Sequence, residues 1–471
     1  MDKYDLCVIG SGPAGQKAAV QAAKLGKRVC IVERTEVVGG VAINTGTIPS
    51  KSLREAILHL TGFKARGFYG ESYAVKQKIT IEDLISWCQH IIKAEVEITQ
   101  SQLQRNGVDI LTGTASFKDP HWAAVVHGND VTAVNAEHFF IATGTKPARP
   151  PEIPFDESHI VDADGILRLP HLPKTLIVVG GGVIGTEYAS MMQALGVKVT
   201  LIEGRARLME FLDSEIVEAL QYHLRQTGMT LRMGEKVVSV RQVEAPAGAV
   251  ARDNMLVEAV LESGKTLRAE CLMYAVGRQG CTDPLDLGRV GLAADDRGRI
   301  KVDENYRTEA KNIYAGGDVI GFPALASTSM EQGRLAACHM FGRKTESYRE
   351  LFPFGIYAIP EISMVGWTED ALTKADIPFE TGVAQFKEIA RAHLMGDTQG
   401  MLKLLVHQES RAVLGVHAIG SGATELVHIG QAVMAFQGTV DYFVSTVFNY
   451  PTLAECYKVA ALNAVNKLAH M

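Results

Sequence analysis

The first part of the chain alternates between apolar runs and an amphipathic stretch. The run Tyr4–Gly10 is short and apolar, as expected of a buried strand. From Pro13 to Leu25 the small apolar residues recur at helical spacing, and Gly26 follows as a helix stop. The run Arg28–Glu33 is again apolar and ends in an acid. The pattern predicts a strand, a helix and a second strand.

The same order returns near the middle of the chain. Thr175–Gly180 is an apolar run, residues 184–195 have helical periodicity up to Gly196, and Lys198–Glu203 is a second run that ends in an acid. A chain that repeats a strand, a helix and a strand predicts two α/β units with parallel sheets.

Each copy carries glycines at the spacing GxGxxG between its first strand and its helix. The six glycines are Gly10, Gly12 and Gly15 in the first copy and Gly180, Gly182 and Gly185 in the second. The first glycine of each set permits a tight turn, the second lets the backbone approach a pyrophosphate, and the third lets helix and strand pack closely. The helix N-terminus then offers free N–H groups to the phosphates.

An acid ends the second strand of each copy. Glu33 and Glu203 each lie 18 positions after the last glycine of their copy, where a carboxylate accepts hydrogen bonds from a ribose 2′-hydroxyl. One such fingerprint alone is weak evidence, but the full arrangement present twice predicts two dinucleotide sites. A flavin that stays bound and a nicotinamide that exchanges form the simplest pair of dinucleotides for one chain.

Two later segments continue the pattern of strands that run into glycine turns. Phe139–Gly144 is one of them, and the prolines between residues 147 and 154 then predict a stiff linker before the second copy. Asn312–Asp318 is the other, and its loop would place Asp318 against the polar chain of a flavin cofactor. A surface turn is the alternative interpretation of that acid.

From about residue 350 the chain alternates short strands and helices without a third glycine fingerprint. The predicted strands are Leu402–Val406, Leu414–Ala418 and Val444–Phe448, and the predicted helices are Glu425–Phe436 and Ala454–Leu468. This mixture predicts an α+β domain with a role in packing or dimerisation.

Composition excludes several classes of protein and of site. The chain of 471 residues is 47% hydrophobic and 21% charged with a net charge of −6, so we expect no general attraction to nucleic acid or anionic lipid. No apolar run is long enough to cross a bilayer, and the N-terminus enters a strand-like run instead of a signal peptide. The seven cysteines are scattered without a CxxC pair, which predicts no metal site and a reducing, cytoplasmic location.

The motifs together resemble the flavoprotein family with two dinucleotide sites that includes lipoamide dehydrogenase, glutathione reductase and mercuric reductase. The matching motifs follow the family order over nearly the whole chain: GSGPAG at Gly10–Gly15, IATG at Ile141–Gly144, GGGVIGTEYA at Gly180–Ala189, YAGGD at Tyr314–Asp318 and NYPTLAE at Asn449–Glu455. The resemblance implies FAD on the first site, with Gly144 and Asp318 among its ligands, and NAD or NADP on the second. It also implies a C-terminal interface domain that closes a homodimer.

The expected fold class is α/β, with two Rossmann-like dinucleotide-binding domains and a C-terminal α+β dimerisation domain. The predicted limits are residues 1–150 for the first part of the FAD domain, 151–277 for the NAD(P) domain, 278–349 for the return segment of the FAD domain and 350–471 for the dimerisation domain. The chain is thus expected to leave the FAD domain and to return to it.

The segment Gly39–Lys51 departs from the disulfide-reducing members of the family. In those members two cysteines occupy the places of Ala42 and Thr47 and form the redox disulfide beside the flavin. The histidine that serves these thiols is replaced here by Tyr450, although its companion acid is retained as Glu455. Alanine and threonine supply no thiolate, so the resemblance implies that thiol–disulfide exchange is lost.

The threonine in GTIPSK and the tyrosine in NYPT are similar to the transhydrogenase branch of this family. That likeness implies hydride transfer between NADPH and NAD⁺ through the flavin, of the Si-specific type. Because one nicotinamide fingerprint is present, both nucleotides would use one site in turn, with ping-pong kinetics. Members of that branch often keep a cysteine at the place of Ala42, and this chain departs from them there.

The resemblance also assigns roles near the flavin. Lys51 matches a lysine beside the reactive edge of the flavin, and Glu187 matches its ion-pair partner, because a buried lysine requires one. Thr47 is expected to fill the vacated thiol position, and Tyr450 is expected to pack or gate rather than to act as an acid or base.

The preference between NAD and NADP carries mixed signals. Glu203 favours NAD because a carboxylate repels a 2′-phosphate, whereas Arg205 and Arg207 follow at once and suit phosphate. Use of both nucleotides is the hypothesis that this mixture favours. Two exposed surface arginines are the alternative.

Two other functions fit the same residues. An NAD(P)H dehydrogenase, or diaphorase, would use the same flavin core to pass electrons to a quinone, a dye or oxygen. A flavin-binding redox sensor without turnover would need a partner surface or a damaged nicotinamide site, and the second fingerprint is intact.

Overall fold

The computed structural model of the chain describes residues 3–70, 72–246, 253–345, 347 and 350–469. In chain order, its strands are β1 (Tyr4–Ile9), β2 (Val29–Glu33), β3 (Asp109–Thr112), β4 (Thr114–Asp119), β5 (Trp122–His127), β6 (Asp130–Ile141), β7 (Thr145–Pro147), β8 (Ile160–Asp162), β9 (Thr175–Val179), β10 (Lys198–Glu203), β11 (Thr230–Met233), β12 (Val237–Glu244), β13 (Met255–Leu261), β14 (Thr266–Ala269), β15 (Cys271–Tyr274), β16 (Arg278–Gly280), β17 (Ile313–Ala315), β18 (Phe354–Ile356), β19 (Ile362–Gly366), β20 (Phe379–Gln385), β21 (Met401–His407) and β22 (Val413–Ile419). Its α-helices are α1 (Pro13–Lys24), α2 (Gly40–Asn44), α3 (Thr47–Leu60), α4 (Arg66–Tyr69), α5 (Ile81–Arg105), α6 (Val183–Ala194), α7 (Ser214–Gln226), α8 (Ala326–Met340), α9 (Glu369–Lys374), α10 (Ala390–Met395), α11 (Ala423–Ala435), α12 (Val440–Ser445) and α13 (Glu455–Leu468).

The chain divides into two compact units, and each unit consists of three separate segments. The first unit comprises Met1–Leu53, Ile85–Ala148 and Gly277–Ser347, and the second unit comprises Arg54–Leu84, Arg149–Val276 and Tyr348–Met471. The sequence predicts four segments with other limits, and that division stays a prediction.

The first unit is built on a parallel sheet in the order β3-β2-β1-β6-β17. The first half of β6 pairs antiparallel with β5, and its second half pairs parallel with β1 and β17. Successive side chains of β1 therefore enter two cores: Leu6 and Val8 pack with α1 and α8, whereas Cys7 and Ile9 pack with β4 and β5. Both faces of the sheet are covered, as its near-continuous apolar strands require.

Helices α1 and α8 of the first unit approach each other closely. A Cβ atom on Gly333 of α8 would lie only 2.0 Å from the carbonyl oxygen of Ala14 in α1, so only glycine fits there. The side-chain oxygen of Gln332 accepts a hydrogen bond from the amide of Gly317 at 2.8 Å. Through these contacts α8 holds the turn before Asp318 beside the start of α1.

The second unit contains a parallel sheet in the order β11-β10-β9-β15-β8. In it β9, α6 and β10 repeat the arrangement of β1, α1 and β2, which confirms the two strand–helix–strand units predicted from the sequence. A three-stranded antiparallel sheet, β12-β13-β14, shares an apolar cluster with this sheet through residues such as Val240, Val257 and Leu261.

The last part of the second unit is an antiparallel sheet in the order β18-β19-β22-β21-β20, packed against α11 and α13. Tyr457 of α13 is buried, and its hydroxyl donates to the carbonyl of Leu426 at 2.6 Å and accepts from the amide of Gly430 at 3.0 Å. A Cβ atom on Gly382 of β20 would lie 2.0 Å from the carbonyl of Ala460, so α13 rests directly on the sheet. The predicted α/β fold class, with two Rossmann-like sheets and a C-terminal α+β sheet, is confirmed.

The strand predicted at Val444–Phe448 is wrong. Helix α12 ends at Ser445, and the following residues up to Tyr450 form no regular element. Val440 and Phe443 are buried at helical spacing, whereas Val447 is 90% exposed. The apolar run joins the buried face of a short helix to an exposed loop, so it has no period of two.

Membrane spans, disulfides and clustered metal ligands are absent from the described part of the chain. No described helix is both long and apolar enough to cross a bilayer. The seven cysteines all lie among the described residues, and all are free. Among those residues no group of three or more histidine, cysteine or carboxylate side chains could hold a metal ion.

Candidate active site

The first glycine turn joins β1 to α1 in the first unit. Gly10 has a φ of +105°, and a Cβ atom on Gly15 would lie 1.9 Å from the carbonyl oxygen of Gly10. Gly12 is the N-cap of α1, and a Cβ atom there would meet no atom within 4 Å. The first and third glycines are thus required by the turn itself, whereas the second faces the open space where a pyrophosphate would approach the helix.

Glu33, at the end of β2, ties this turn to the next segment. Its Oε2 accepts hydrogen bonds from the amide of Ser11 at 3.1 Å and from the Ser11 hydroxyl at 2.6 Å. The same hydroxyl oxygen accepts a hydrogen bond from the amide of Gly39 at 2.9 Å. The buried carboxylate therefore orders both the turn and the start of the segment Gly39–Lys51.

The segment Gly39–Lys51 lies on the first glycine turn. A Cβ atom on Gly40 would lie 2.8 Å from the Cα of Gly12, so the two backbones are in direct contact. Ala42 lies within α2, and Thr47 is exposed at the first position of α3. The two positions that the resemblance assigns to the redox cysteines therefore lie on the segment that contacts the first glycine turn, and they carry no thiol.

One thiol, that of Cys88, contacts this segment. Its Sγ lies 3.7 Å from the carbonyl oxygen of Pro49. Burial raises the pKa of Cys88 to about 11, so it stays a protonated thiol at neutral pH. A single buried thiol of this kind does not replace the missing redox pair.

Asp318 is positioned by residues of the first unit that are distant in sequence. Thr145 donates from its hydroxyl to Oδ2 of Asp318 at 3.2 Å. The guanidinium of Arg278 donates from Nε to the Thr145 hydroxyl at 2.7 Å and from Nη2 to its carbonyl at 2.9 Å. Gly144, with a φ of +65°, allows the chain to turn just before Thr145.

The first site fits FAD on several observations. The hydroxyl of Thr143, beside Gly144, is buried and has no hydrogen-bond partner among the described residues. Gly12 leaves open space at the N-terminus of α1. Asp318 is half-buried and follows Gly317, where a Cβ atom would lie 3.2 Å from Ala14 of the same helix. A dinucleotide with a hydroxylated chain would satisfy the unpaired hydroxyl and occupy that space.

The second glycine turn repeats this geometry in the second unit. Gly180 has a φ of +105°, and a Cβ atom on Gly185 would lie 1.8 Å from its carbonyl oxygen. A Cβ atom on Gly182 would meet no atom within 4 Å. The amide of Gly181 donates to Oε2 of Glu203 at 2.7 Å, so the acid at the end of β10 orders this turn too. These residues fit a nicotinamide dinucleotide.

Arg205 covers the acid of the second turn. Its Nε donates to Oε1 of Glu203 and its Nη2 donates to Oε2, both at 2.9 Å. Burial alone would raise the pKa of Glu203, but the hydrogen bonds from Arg205 and Gly181 outweigh it and lower that pKa. The Arg205 side chain is 45% exposed, and the guanidinium of Arg207 lies 3.4 Å from Asp370.

Lys51 and Glu187 belong to different units, and each has contacts within its own unit. Lys51 is half-buried, and its Nζ donates to the Ser50 hydroxyl at 3.3 Å. Glu187 is buried in α6, and its Oε1 accepts a hydrogen bond from the amide of Tyr357 at 2.8 Å. The ion pair expected between them stays a prediction.

Tyr450 and Glu455 lie next to the start of α13. The Tyr450 side chain is 68% exposed. Oε2 of Glu455 is buried and has no hydrogen-bond partner among the described residues. The Tyr450 hydroxyl thus donates no hydrogen bond to this oxygen within the described chain.

The sequence analysis misses the contacts of three residues: Ser11, Arg54 and Arg278. Ser11 differs from its counterpart Gly181, and a comparison of the two fingerprints could have found it. Arg54 follows Lys51 by one helical turn, is buried, and binds Glu361 at 3.2 Å. Arg278 carries no sequence signal, because its contact with Thr145 joins strands β16 and β7, which are far apart in the chain.

Two family descriptions match the chain. Residues 4–333 match the pyridine nucleotide-disulphide oxidoreductase family, and residues 352–461 match the dimerisation domain of the same family. Together these matches cover the two glycine turns and the C-terminal sheet.

Two relatives are similar to the chain over nearly its full length. A soluble pyridine nucleotide transhydrogenase of Mycobacterium bovis (strain BCG) is 54% identical over 99% of this chain and 98% of the relative. A soluble pyridine nucleotide transhydrogenase of Colwellia psychrerythraea is 44% identical over the same shares of the two chains.

Solved structures have the same fold. The HOCl-induced flavoprotein disulfide reductase RclA from Escherichia coli is 28% identical, with a TM-score of 0.85 over 98% of this chain and 99% of the other. LpdA from Mycobacterium tuberculosis is 24% identical, with a TM-score of 0.88 over the same shares, and shows likeness of fold alone. From the matched segments and the full-length relatives, this chain belongs to the pyridine nucleotide-disulphide oxidoreductase family.

Proposed function

We propose that the protein is an FAD-dependent NAD(P)⁺ transhydrogenase that moves hydride between NADPH and NAD⁺. One observation carries the proposal: both dinucleotide turns are complete, while Ala42 and Thr47 leave no thiol pair on the segment that contacts the first turn. The names of relatives at 54% and 44% identity support it. The family name refers to disulphides, but disulfide reduction needs a thiolate nucleophile and a resolving sulfur.

FAD, when bound, supplies the two-electron hydride chemistry. The first glycine turn would hold its pyrophosphate, Glu33 would bind a ribose, and Gly144 and Asp318 would contact its remaining polar groups. Since the Thr145 hydroxyl donates to Asp318, the second carboxylate oxygen stays available to accept a hydrogen bond from the cofactor. The apolar residues on both faces of the sheet keep the backbone of this site rigid.

The residues near the segment Gly39–Lys51 support the reaction without sulfur. Lys51 would supply a positive charge beside the flavin, and Glu187 would be its ion-pair partner. Thr47 occupies the place of a thiol and takes no part in proton transfer. Tyr450 packs or gates at the interface of a homodimer, and Glu455 receives its missing hydrogen-bond donor there.

The second turn serves both nicotinamide nucleotides in succession, which makes the kinetics ping-pong. Glu203 accepts a hydrogen bond from the ribose of NAD(H). For NADP(H), the exposed guanidinium of Arg205 leaves Glu203 and binds the 2′-phosphate in bidentate fashion. We further propose Si-specific transfer and action as a cytoplasmic homodimer, in keeping with the matched dimerisation domain.

The test is an anaerobic assay of the purified holoprotein with NADPH and thionicotinamide NAD⁺, whose reduced form absorbs at a longer wavelength. We expect bleaching of the flavin by NADPH, saturable formation of the reduced acceptor, and parallel double-reciprocal plots. Deuterium placed on either face of nicotinamide C4 reports the stereochemistry. Flavin that neither NADH nor NADPH bleaches would refute the proposal, and turnover with quinone or dye but not with NAD⁺ would assign a diaphorase instead.

A further inference from the structure

Lys403 is completely buried in the second unit and faces three carboxylates. Its Nζ lies 2.8 Å from Oδ1 of Asp213 and 2.9 Å from Oε2 of Glu215, and it also contacts Glu369. The side chains of Lys403 and Asp213 are both 0% exposed. His417 of β22 is paired with Lys403 of β21. Burial lowers the pKa of His417 to about 4, so this histidine is neutral at neutral pH. We call these five residues the Lys403 cluster.

The buried charges of the Lys403 cluster depend on one another. Burial alone would lower the pKa of Lys403, but its hydrogen bonds with Asp213, Glu369 and Glu215 outweigh burial and raise that pKa. Burial likewise disfavours the charged form of Asp213, and the nearby cation keeps its pKa low. Because an unpaired buried charge is strongly unfavourable, the two side chains fix each other's position.

The Asp213 carboxylate does not cap the helix that follows it. It stands at the N-cap of α7, where aspartate commonly accepts hydrogen bonds from the first amides of the helix. Here it makes no side-chain cap hydrogen bond, and its Oδ1 binds Lys403 of β21 instead. The contact therefore ties the end of the loop before α7 to the C-terminal sheet.

The loop that ends at Asp213, residues 204–213, carries Arg205 and lies against the second glycine turn. A Cβ atom on Gly181 would lie 2.4 Å from Cδ2 of Leu208, and the Leu208 amide donates to the side chain of Gln221 at 3.3 Å. Leu208 is fully buried. A shift at the Asp213 end is thus transmitted through a packed core to the surroundings of Arg205.

We propose that Lys403 is a positioning residue for nucleotide selection, because its contact with Asp213 holds the loop 204–213 in the register that lets Arg205 meet the 2′-phosphate of NADPH. The inference rests on the proposed function, in which Arg205 binds that phosphate. Lys403 itself contacts neither nucleotide. Its removal is expected to weaken NADPH more than NADH.

Asp213→Asn and Glu215→Gln form a matched pair for the test. Each removes one negative charge from Lys403 and leaves two carboxylates to balance the buried cation, so both proteins are expected to fold. Only Asp213→Asn weakens the tie to the loop, whereas Glu215 lies within α7 with a side chain that is 46% exposed. Lys403→Met, alone and with Asp213→Leu, removes the tie completely, and the double variant leaves no buried charge unpaired on the loop.

The measurement is anaerobic stopped-flow reduction of the bound flavin by NADPH and by NADH, with wild type and Arg205→Ala as references. We expect the NADPH-to-NADH ratio of second-order rate constants to fall about tenfold in Arg205→Ala and in the Lys403 variants, through weaker NADPH binding with an unchanged limiting rate. Asp213→Asn should lower the ratio about threefold, and Glu215→Gln should leave it within about twofold of wild type.

The outcomes separate this inference from the proposed function. If wild type is not reduced by NADPH, or if Arg205→Ala leaves the ratio unchanged, the proposed function or the role of Arg205 fails, and this inference fails with it. If Arg205→Ala shifts the ratio while Asp213→Asn and every soluble Lys403 variant leave it unchanged, the inference alone is overturned. A loss of thermal stability with equal loss for both nucleotides would likewise assign Lys403 a structural role only.

Discussion

The two glycine turns share one backbone geometry and differ in the hydrogen-bond donors that bind their acids. In the first, Glu33 accepts both hydrogen bonds from Ser11, whose hydroxyl also receives the amide of Gly39. In the second, Glu203 is bound by the guanidinium of Arg205, which is 45% exposed. The first acid is thus bonded by neutral donors, which include Thr35 as well as Ser11, whereas the second is bonded by a partly exposed cation. This difference is consistent with the proposed function, in which the first turn holds a resident cofactor and the second an exchanging nucleotide.

Adding one methyl group to the third glycine of either turn has the largest expected effect. In Gly15→Ala and Gly185→Ala the new Cβ would lie 1.9 and 1.8 Å from a backbone carbonyl oxygen, so each turn must open. We expect Gly15→Ala to be isolated without flavin, and Gly185→Ala to keep its flavin but to be reduced by either nucleotide about a hundredfold more slowly. Flavin content and stopped-flow reduction measure the two effects. Gly288→Ala, at an exposed glycine with no close neighbour, is the control. A flavin-replete Gly15→Ala protein would contradict the comparison.

Removing the charge of each acid should sharpen the contrast. Glu203→Gln removes the repulsion of a 2′-phosphate and releases Arg205, so the NADPH-to-NADH ratio of kcat/KM should rise about tenfold. Glu33→Gln should leave this ratio unchanged and instead weaken flavin retention, because it disturbs only the first turn. Kinetics with both nucleotides, together with flavin content after gel filtration, separate the two outcomes. An equal change of ratio in both variants would show that the acids have no separate roles.

Ser11→Ala tests the hydrogen bonds that the Ser11 hydroxyl makes with Glu33 and Gly39. Loss of the hydroxyl removes a donor to Glu33 and an acceptor for the amide of Gly39, which should destabilise the flavin-bound state by about 1 to 2 kcal/mol. We expect a several-fold faster release of FAD, followed by fluorescence, and an unchanged nucleotide ratio. Ser239→Ala, at an exposed serine of β12, serves as the control. Unchanged FAD release would mean that this hydroxyl is dispensable.

The smallest predicted effect is a pH response of the second unit at His159. Burial alone would lower the pKa of His159, but hydrogen bonds with Asp156 and Asp253 raise it above its ordinary value. The stabilisation is therefore complete below the unfolded pKa of about 6.5 and is lost as pH rises through the folded pKa. We expect His159→Gln to be about 0.5 to 1 kcal/mol less stable than wild type at pH 6, and this difference to vanish at pH 9. Urea unfolding at both pH values measures it, and a difference that grows with pH would contradict the assignment.

The sequence predicts what depends on local backbone geometry. The positions of Gly10, Gly15, Gly180 and Gly185 follow from turns in which a Cβ atom would collide with the chain, and the strands beside them are apolar on both faces. The predicted limits of the helices after each turn differ from the observed ones by one residue at most. Local patterns therefore suffice for both dinucleotide turns.

The remainder depends on polar contacts between residues that are far apart in the chain. Lys403 and Asp213 are separated by 190 positions, and neither belongs to a repeating pattern. The strand wrongly predicted at Val444–Phe448 has the same cause, because an apolar run in the sequence does not by itself show which of its residues face the core. Such pairings become visible only when the sheet topology is known.

The braced contact between α1 and α8 has a consequence for the order in which the cofactor sites form. Both β17 and α8 belong to the last segment of the first unit, Gly277–Ser347, whereas the sheet β11-β10-β9-β15-β8 is complete by Tyr274. A chain emerging from the ribosome can therefore finish the sheet of the second glycine turn while the sheet of the first turn still lacks its edge strand β17 and its covering helix α8. The glycine turn that is synthesised first thus belongs to the sheet that is completed last.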